Sequence, residues 1–167
     1  MKLAIDMPKD EVERLKRDQR NYAEATIKEN NDKTYNGVAI KLKGAAGSFQ
    51  GIENKPGLTV SFDKFKGADR FHGMKKFHLN NCAQDGTYLN EMIAGEMARA
   101  AGVPASRCTH VFVTLNGRDL GLYVFKEAFT RDFLAAFFSD TSGDLWDGGF
   151  CKEIEENMVG WLRDGCR

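Results

Sequence analysis

The segment Lys43-Gly44-Ala45-Ala46-Gly47-Ser48 has the composition of a loop that can bind a phosphate group. Glycine has no Cβ, so the backbone amides around Gly44 and Gly47 could approach an anion closely. The segment lies between two predicted strands, where a glycine-rich stretch is also typical of a plain hairpin turn. A phosphate-binding role therefore requires a lysine and an orienting acid nearby.

Four lysines are candidates for the cation of such a site: Lys43, Lys55, Lys75 and Lys76. Each lies at or next to a predicted strand, and each could equally be a solvated surface lysine. The acid must come from a neighbouring element, and the best candidate is on the longest predicted helix.

That helix is predicted to begin near Tyr88, because Asp85 or Thr87 can cap its first amides. Gly102 and Pro104 are typical of a helix end. At 100° per residue, one apolar stripe contains Leu89, Met92, Ile93, Met97 and Ala100. We expect this stripe to be buried in the core.

Glu96 projects into the middle of that stripe on the same helical wheel, whereas Glu91 points the opposite way. An acid on a buried face needs a partner, so Glu96 is the predicted partner of the lysine. The alternative is that Glu96 lies at the edge of the stripe and reaches solvent.

The rest of the chain predicts strands. Alternating apolar residues occur at 22–28, 38–42, 58–62 and 77–79, and Asn116-Gly117 predicts a tight hairpin over 109–126. Short helices are predicted over 8–20 and after Thr130 or Asp132. We therefore expect an α+β fold, in which a mostly antiparallel sheet of about six strands packs on one long helix.

The run DGTYLNEMIAGEMARAAGVPASRCTHVFVTLNGRDLGLYVFKEAFTRDFL resembles the CotH (spore coat protein H) kinase family. Members carry an Asp-led helix, a Gly-Val-Pro-Ala turn, an Asn-Gly hairpin and a Gly-Leu-Tyr strand ending in Glu. The likeness extends through VAIKLKGAAGSF, KPGLTVSFDKF and LWDGGF, so it covers roughly residues 35–155. Asn90-Glu91 departs from the family, in which many members have arginine at the first of these positions.

The resemblance implies the N-terminal lobe of an atypical protein kinase that uses ATP and Mg²⁺. It favours Lys55 as the nucleotide lysine, because a lysine recurs in relatives before the second core strand. It also implies that Glu127 ends the strand that leads to a second lobe, with the backbone of 124–128 near adenine. The substrates implied are serine and threonine of coat or exported proteins.

The catalytic and metal-binding aspartates of the family belong to the second lobe, and Asp144 and Asp147 come too early to match them. We therefore expect a nucleotide-lobe domain over 1–155 and a tail over 156–167 that stops before the second lobe. Whether the chain alone is an enzyme is open. The alternative is a non-catalytic interaction module of a spore coat or cell surface, using the apolar surface of 133–138 and the closing helix.

Composition and residue spacing disfavour several other classes of function. The 24 basic and 24 acidic residues cancel, so composition gives no support for a nucleic-acid partner. No apolar run has the length of a signal peptide or a membrane span. The four cysteines lack zinc spacing and are expected to be free thiols, with a disulfide as the alternative in an exported protein. The histidines His72, His78 and His110 have no nucleophile partner in a recognisable motif.

Overall fold

The structure is a computed structural model that describes residues 1–65 and 70–143. The chain divides into two compact units, Met1–Ala128 and Phe129–Arg167. The elements of the first unit are β1 Lys2–Asp6, α1 Lys9–Arg17, β2 Ala23–Glu29, β3 Lys33–Lys43, β4 Gly57–Ser61, β5 Lys76–Asn80, α2 Asn90–Ala100, β6 Cys108–Leu115 and β7 Arg118–Glu127. In the second unit the structure describes residues 129–143, which contain α3 Arg131–Ala135.

The seven strands of the first unit form a closed barrel in the order β1-β2-β3-β4-β5-β7-β6. Neighbouring strands are antiparallel except β1 and β6, which pair in parallel from Lys2↔Phe112 to Ile5↔Leu115. In the order of the sheet β1 is the first strand and β6 the last, so their pairing closes the barrel. Closure leaves no open edge between them and points one face of every strand inward.

The predicted fold class, a sheet of about six strands packed on one long helix, is therefore wrong. The strand that the sequence analysis did not predict is β1. Its residues Leu3 and Ile5 alternate with outward residues and are buried in the barrel. Because a closed barrel fills its own interior with side chains, its core does not need a helix to cover it. The predicted strands at 22–28, 38–42, 58–62 and 77–79 and the hairpin over 109–126 are confirmed.

Aromatic side chains fill one part of the barrel interior. Phe77 is fully buried, and its ring centroid lies 4.3 Å from that of Phe125, 5.0 Å from that of Phe71 and 5.8 Å from that of Phe62. Tyr35 packs against the same cluster, 5.3 Å from Phe71. Rings at these separations contribute favourable aromatic contacts in addition to the surface that they bury.

The burial predicted for α2 is also wrong. None of its residues is buried, and Ile93 and Met97 are 52% and 68% exposed. The predicted end of the helix is correct, since Gly102 has φ 77° and the Val103 amide donates to the Ala98 carbonyl at 2.9 Å. α2 is thus a well-terminated helix with an exposed apolar stripe.

The shorter helices form where the sequence predicts them. α1 follows Pro8 and buries Leu15, and α3 is capped by the Thr130 hydroxyl, which accepts from the Phe133 amide at 3.4 Å. Across the two stretches that the structure describes, we find no helix with the length and apolar character needed to cross a membrane. The predicted closing helix, LWDGGF, Cys151 and Cys166 lie outside the described residues.

Candidate functional site

A cleft of about 270 Å³ lies where the glycine-rich loop, the end of β5 and the beginning of α2 meet. Most of the residues that line it have polar side chains. The loop and the neighbouring strand start contribute Lys43, Gly44, Ser48 and Gly57, and the chain from β5 into α2 contributes Asn80, Asn81, Cys82, Ala83, Gln84, Asp85, Asn90 and Glu91.

A chain of charged and amide groups crosses this cleft. Lys43 Nζ donates to Asn80 Oδ1, and Asn80 Nδ2 donates to Glu91 Oε2. The other carboxylate oxygen of Glu91, Oε1, accepts from Lys126 Nζ at 2.9 Å. Two lysines are thus connected to one glutamate: Lys126 contacts Glu91 directly, and Lys43 is connected to it through Asn80.

The protonation of this group follows from its surroundings. Partial burial lowers the pKa of Lys43, and nearby Lys126 lowers it further, while the Glu91 charge raises it in part. Burial by itself would raise the pKa of Glu91, but hydrogen bonds from Asn80 and Lys126 and the charges of both lysines outweigh it, so the pKa is lowered. The lowered pKa of Glu91 therefore favours its ionised carboxylate, which accepts hydrogen bonds from Asn80 and Lys126.

Strand alternation explains why these side chains meet. Ile40 and Leu42 of β3 point into the barrel, so Lys43 points outward at the end of the strand. Phe125 of β7 is buried, so Lys126 also faces outward. α2 then lies over this outer face and places Glu91 between the two lysines.

The segment that leads into α2 is fixed by its polar side chains. Asp85 Oδ2 accepts from the Asn90 amide at 3.0 Å, and the Thr87 hydroxyl accepts from the Leu89 amide at 3.2 Å. Both residues predicted as caps therefore bind the helix entrance, although the N-cap position itself is Leu89. These bonds fix the phase of α2, which determines that Glu91 faces the barrel.

Asn81 connects the segments that form the cleft walls by hydrogen bonds of its side chain. Its buried side-chain amide donates to the carbonyls of Ser48 at 3.0 Å and of Lys55 at 2.9 Å, and its Oδ1 accepts from the Ala83 amide at 3.3 Å. One side chain thus holds the glycine-rich loop, the segment before β4 and the segment before α2 together.

The glycine-rich loop has the backbone that its glycines permit. Gly44 and Gly47 have φ of 124° and 83°, in the region that favours glycine. A Cβ at Gly47 would lie 2.3 Å from Gln84 Nε2. The amides of Ser48 and Phe49 donate to the Ala45 carbonyl, and the Ala45 amide donates to Ser48 Oγ. The amides of Ala45, Ser48 and Phe49 are thus used in hydrogen bonds within the loop, so a phosphate would have to be held by other loop amides.

Lys55 lies away from the walls of the cleft. Its Nζ donates to the Tyr88 hydroxyl at 2.7 Å and lies 4.8 Å from the centre of the Tyr88 ring and 5.0 Å from that of Tyr123. Two aromatic faces and a phenol oxygen therefore hold this ammonium group. The structure brings Lys43, and not Lys55, to Glu91; Lys76 lies farther along the outer face of β5.

Glu96 is placed on the solvent side of α2. Its side chain is 75% exposed, and Oε1 accepts from Arg99 Nη2 at 2.5 Å. The expected orientation of the two helix acids is thus reversed, because Glu91 and not Glu96 faces the barrel. The error lay in assuming that the apolar stripe of α2 marks its buried side.

Glu127 is 3% exposed and forms an ion pair with Arg107. Arg107 Nη2 donates to Oε1 at 2.6 Å, and Arg107 Nε donates to Oε2 at 2.9 Å. The amide of Glu127 donates to the Arg107 carbonyl at 3.0 Å. This site borders a second cavity of about 220 Å³, whose walls are His72, Met74, Arg107, Cys108, Thr109, Phe125 and Glu127.

Replacing Arg107 with methionine should lower the free energy of unfolding by about 2 kcal/mol, because a buried carboxylate loses two donors. Chemical denaturation measures the change. In the Arg107→Met/Glu127→Gln double variant the carboxylate charge is gone, so part of this loss should be recovered. An unchanged denaturation midpoint for Arg107→Met would show that water already satisfies Glu127.

Sequence reasoning missed Asn80 and Lys126 and ranked Glu91 below Glu96. A signal existed for Lys126, since alternation with buried Tyr123 and Phe125 places it on the outer face. No local signal marks Asn80, whose importance depends on the registers Leu79↔Phe125 and Leu58↔Leu79. Both cysteines of the described stretches, Cys82 and Cys108, are free thiols near the same group, and burial raises the pKa of each.

The resemblance implies ATP and Mg²⁺, and the described residues can be compared with what each group requires. Lys43, Lys126 and the loop amides offer positive charge and donors suited to the phosphates of ATP. Within residues 1–65 and 70–143 no set of three His, Cys, Asp or Glu side chains is arranged to hold a metal ion.

The model of the family described as CotH kinase protein matches residues 40–163. The match covers more than half of the chain and includes the glycine-rich loop, α2, and the β6–β7 hairpin. No curated protein matches the chain. On the family match, this chain belongs to the CotH kinase family.

Proposed function

We propose that residues 1–155 are the nucleotide-binding lobe of a CotH kinase family protein, which phosphorylates serine or threonine of coat or exported proteins when joined to a second lobe. The observation that carries the proposal is the Lys43–Asn80–Glu91–Lys126 group beside the glycine-rich loop. Kinases hold nucleotide phosphates with a lysine paired to a helix glutamate beside such a loop. In this chain Lys126 pairs with Glu91 directly, and Lys43, next to the loop, reaches Glu91 through Asn80.

ATP supplies the phosphoryl group, and the protein supplies position and charge. Lys43 provides a cation at the start of the glycine-rich loop, and Lys126 provides a second one at Glu91. Glu91 and Asn80 hold the two ammonium groups apart and orient them before a ligand arrives, which reduces the ordering needed on binding. The aspartates that position a nucleophile and a metal ion belong, on this proposal, to the second lobe.

Glu127 has a structural partner in Arg107, so its carboxylate is occupied. Its proposed contribution is therefore to fix the end of β7, where the chain would pass to the second lobe. The backbone of 124–128 remains the proposed adenine contact.

The proposal predicts weak nucleotide binding by the 167-residue chain, with a Kd near or above about 1 mM, because half of a cleft leaves adenine exposed. In an NMR titration, ATP should shift the amides of 44–48 and of the residues around Glu91. Lys43→Met should weaken binding by about tenfold, or 1.4 kcal/mol. Each variant is first checked for an unchanged melting temperature.

Two matched variants sharpen this test. Lys55→Met removes the lysine that the family resemblance favours, and Lys2→Met removes one on β1, away from the cleft. We expect both to bind ATP as the parent does. Loss of the shifts in Lys55→Met but not in Lys43→Met would transfer the nucleotide site to Lys55, and shifts scattered over the barrel would contradict a defined site.

A second candidate function is a non-catalytic interaction module, and the exposed apolar stripe of α2 favours it. Leu89, Ile93 and Met97 follow one another at four-residue spacing, and each is at least 44% exposed. Light scattering after size-exclusion chromatography, together with binding of a hydrophobic dye, tests this function. A monomer that binds no dye would count against an adhesive surface.

A further inference from the structure

The connection between α1 and β2, residues 18–22, lies against the beginning of the glycine-rich loop. The Gln19 carbonyl accepts from the Leu42 amide at 3.1 Å, near the end of β3. Arg20 Nη2 donates to the Gly44 carbonyl at 2.9 Å. The family match begins at residue 40, so this support for the loop comes from a part of the chain that the family model does not include.

Arg20 contacts the glycine-rich loop at its beginning and also the residue just beyond its end. Besides the hydrogen bond to Gly44, the guanidinium carbon of Arg20 lies over the Phe49 ring, 4.9 Å from the ring centre. The face of an aromatic ring attracts a guanidinium through its charge distribution as well as through contact area. Phe49 itself packs against the barrel core. One side chain therefore connects the start of the loop to a ring that the core holds in place.

The connection that carries Arg20 is held by several hydrogen bonds of its own. Arg14 Nη2 donates to the Tyr22 carbonyl at 2.6 Å, and the Asp18 amide donates to the Arg14 carbonyl at 2.8 Å. Asn21 Nδ2 donates to Asp18 Oδ2. Residues on both sides of Arg20 are thus bonded, so its side chain extends toward the loop from a well-defined segment.

The loop needs such external support because its own backbone restricts it little. Gly44 has φ of 124°, and glycine has more accessible backbone conformations than other residues. The hydrogen bonds within the loop all involve Ala45 and leave the Gly44 carbonyl to Arg20. On the cleft side, Asn81 holds the Ser48 carbonyl at 3.0 Å, whereas Arg20 is not one of the described residues that line the cleft. Asn81 and Arg20 therefore hold the loop at separate places.

We propose that Arg20 is a positioning residue of the candidate nucleotide site, a role that rests on the proposed nucleotide binding. By joining Gly44 to Phe49, Arg20 fixes the loop in one conformation before a phosphate group arrives. A loop that is already ordered loses less conformational entropy on binding, so the ligand binds more tightly. Arg20 acts through the loop and does not contact the nucleotide.

The alternative is that Arg20 attracts an anionic ligand through its charge alone. Arg20→Lys separates the two roles, because lysine keeps the charge but lacks the planar guanidinium that stacks on Phe49 and donates to Gly44 at the same time. Weaker binding in Arg20→Lys indicates positioning, and unchanged binding indicates charge. Arg17→Gln is the matched control, since it removes one positive charge from the last turn of α1.

The test measures amide hydrogen exchange and ATP binding by NMR in the full 167-residue chain. In Arg20→Lys and Arg20→Gln, the amides of Ser48 and Phe49 should exchange at least about fivefold faster, because their bonds to the Ala45 carbonyl open more often. The melting temperature and the exchange of the β4 amides should not change. The Kd for ATP should rise about threefold to fivefold, and Arg17→Gln should change each quantity by less than about twofold.

The possible outcomes separate the role of Arg20 from the proposed function. Loop exchange and ATP affinity that both stay at the parent values in Arg20→Lys would overturn the positioning role. Faster exchange with unchanged ATP affinity would also overturn it, because loop order would then not limit binding. Weaker ATP binding in Arg20→Gln but not in Arg20→Lys would assign Arg20 an electrostatic role only. If ATP shifts no amide of 44–48 in the parent, the proposed function fails, and the exchange rates alone decide whether Arg20 orders the loop.

Discussion

Replacing Phe77 with alanine should lower the free energy of unfolding by about 3–5 kcal/mol, whereas Ile93→Ala should change it by less than about 0.5 kcal/mol. Phe77 is fully buried and contacts the rings of Phe62, Phe71 and Phe125, so its removal leaves a cavity inside the barrel. Ile93 is 52% exposed on α2, and its truncation opens no cavity. Urea denaturation of both variants measures the difference.

Ile27→Val provides a milder control for this comparison. Ile27 is fully buried on β2, and removal of one methylene should cost about 0.5–1.5 kcal/mol. The order of destabilisation should therefore be Phe77→Ala, then Ile27→Val, then Ile93→Ala. A loss above about 2 kcal/mol for Ile93→Ala would show that the stripe of α2 is covered in solution.

The contrast between these residues also shows which parts of the fold were predictable. Alternation within a strand is a local pattern, and Val38, Ile40 and Leu42 point inward as it indicates. The apolar stripe of α2 is equally regular, but a helical wheel does not say which side of the helix meets the core. That side is set by the hydrogen bonds of Asp85 and Thr87 and by the contact of Glu91 with Lys126.

Closure of the barrel depends on contacts between distant parts of the chain. β1 is short, and its Leu3-Ala4-Ile5 pattern does not reveal that its partner is β6, more than a hundred residues later. The parallel pairing of Leu3 with Val113 follows from the path of all seven strands. A reading of local patterns therefore predicted six strands and an open sheet.

The candidate site also has one part that was predictable from the sequence and one part that was not. Its loop was predictable, because Gly44 and Gly47 adopt the positive φ for which glycine is suited. The group around Glu91 was not, because Lys43, Asn80 and Lys126 come from three strands whose register brings them together. Without knowledge of that register, Lys55 and Glu96 satisfied the sequence pattern as well as Lys43 and Glu91 did.

The stability of the protein should fall as His78 is forced to accept a proton. Burial and four surrounding lysines, Lys41, Lys43, Lys76 and Lys126, lower its pKa to about 3, whereas a histidine in the unfolded chain titrates near 6.5. Glu91 is the acid that contacts this group of lysines, and it is paired with Lys126. The folded state therefore holds His78 neutral at a pH where the unfolded state protonates it.

The direction in which the free energy of unfolding changes with pH follows from the protons that each state binds. Below about pH 6.5 the unfolded state binds one proton more than the folded state, so the free energy of unfolding decreases as pH falls. The stability that depends on neutral His78 is fully present above about pH 6.5 and is lost progressively as the pH falls toward about 3. Each pH step within this range costs about 1.4 kcal/mol, so acidification from about pH 7.5 to about pH 4.5 should cost about 2–3 kcal/mol at this residue.

His78→Gln isolates this contribution, because glutamine fills a similar space and does not titrate in this range. Urea denaturation of parent and variant at several pH values should give a parent curve that falls more steeply below about pH 6.5, by about 2–3 kcal/mol at about pH 4.5. Carboxylates titrate in both proteins and cancel in the comparison. Curves that stay parallel from about pH 7.5 to about pH 4.5 would mean that water or a bound anion relieves the charge around His78, and that its pKa lies near the ordinary value.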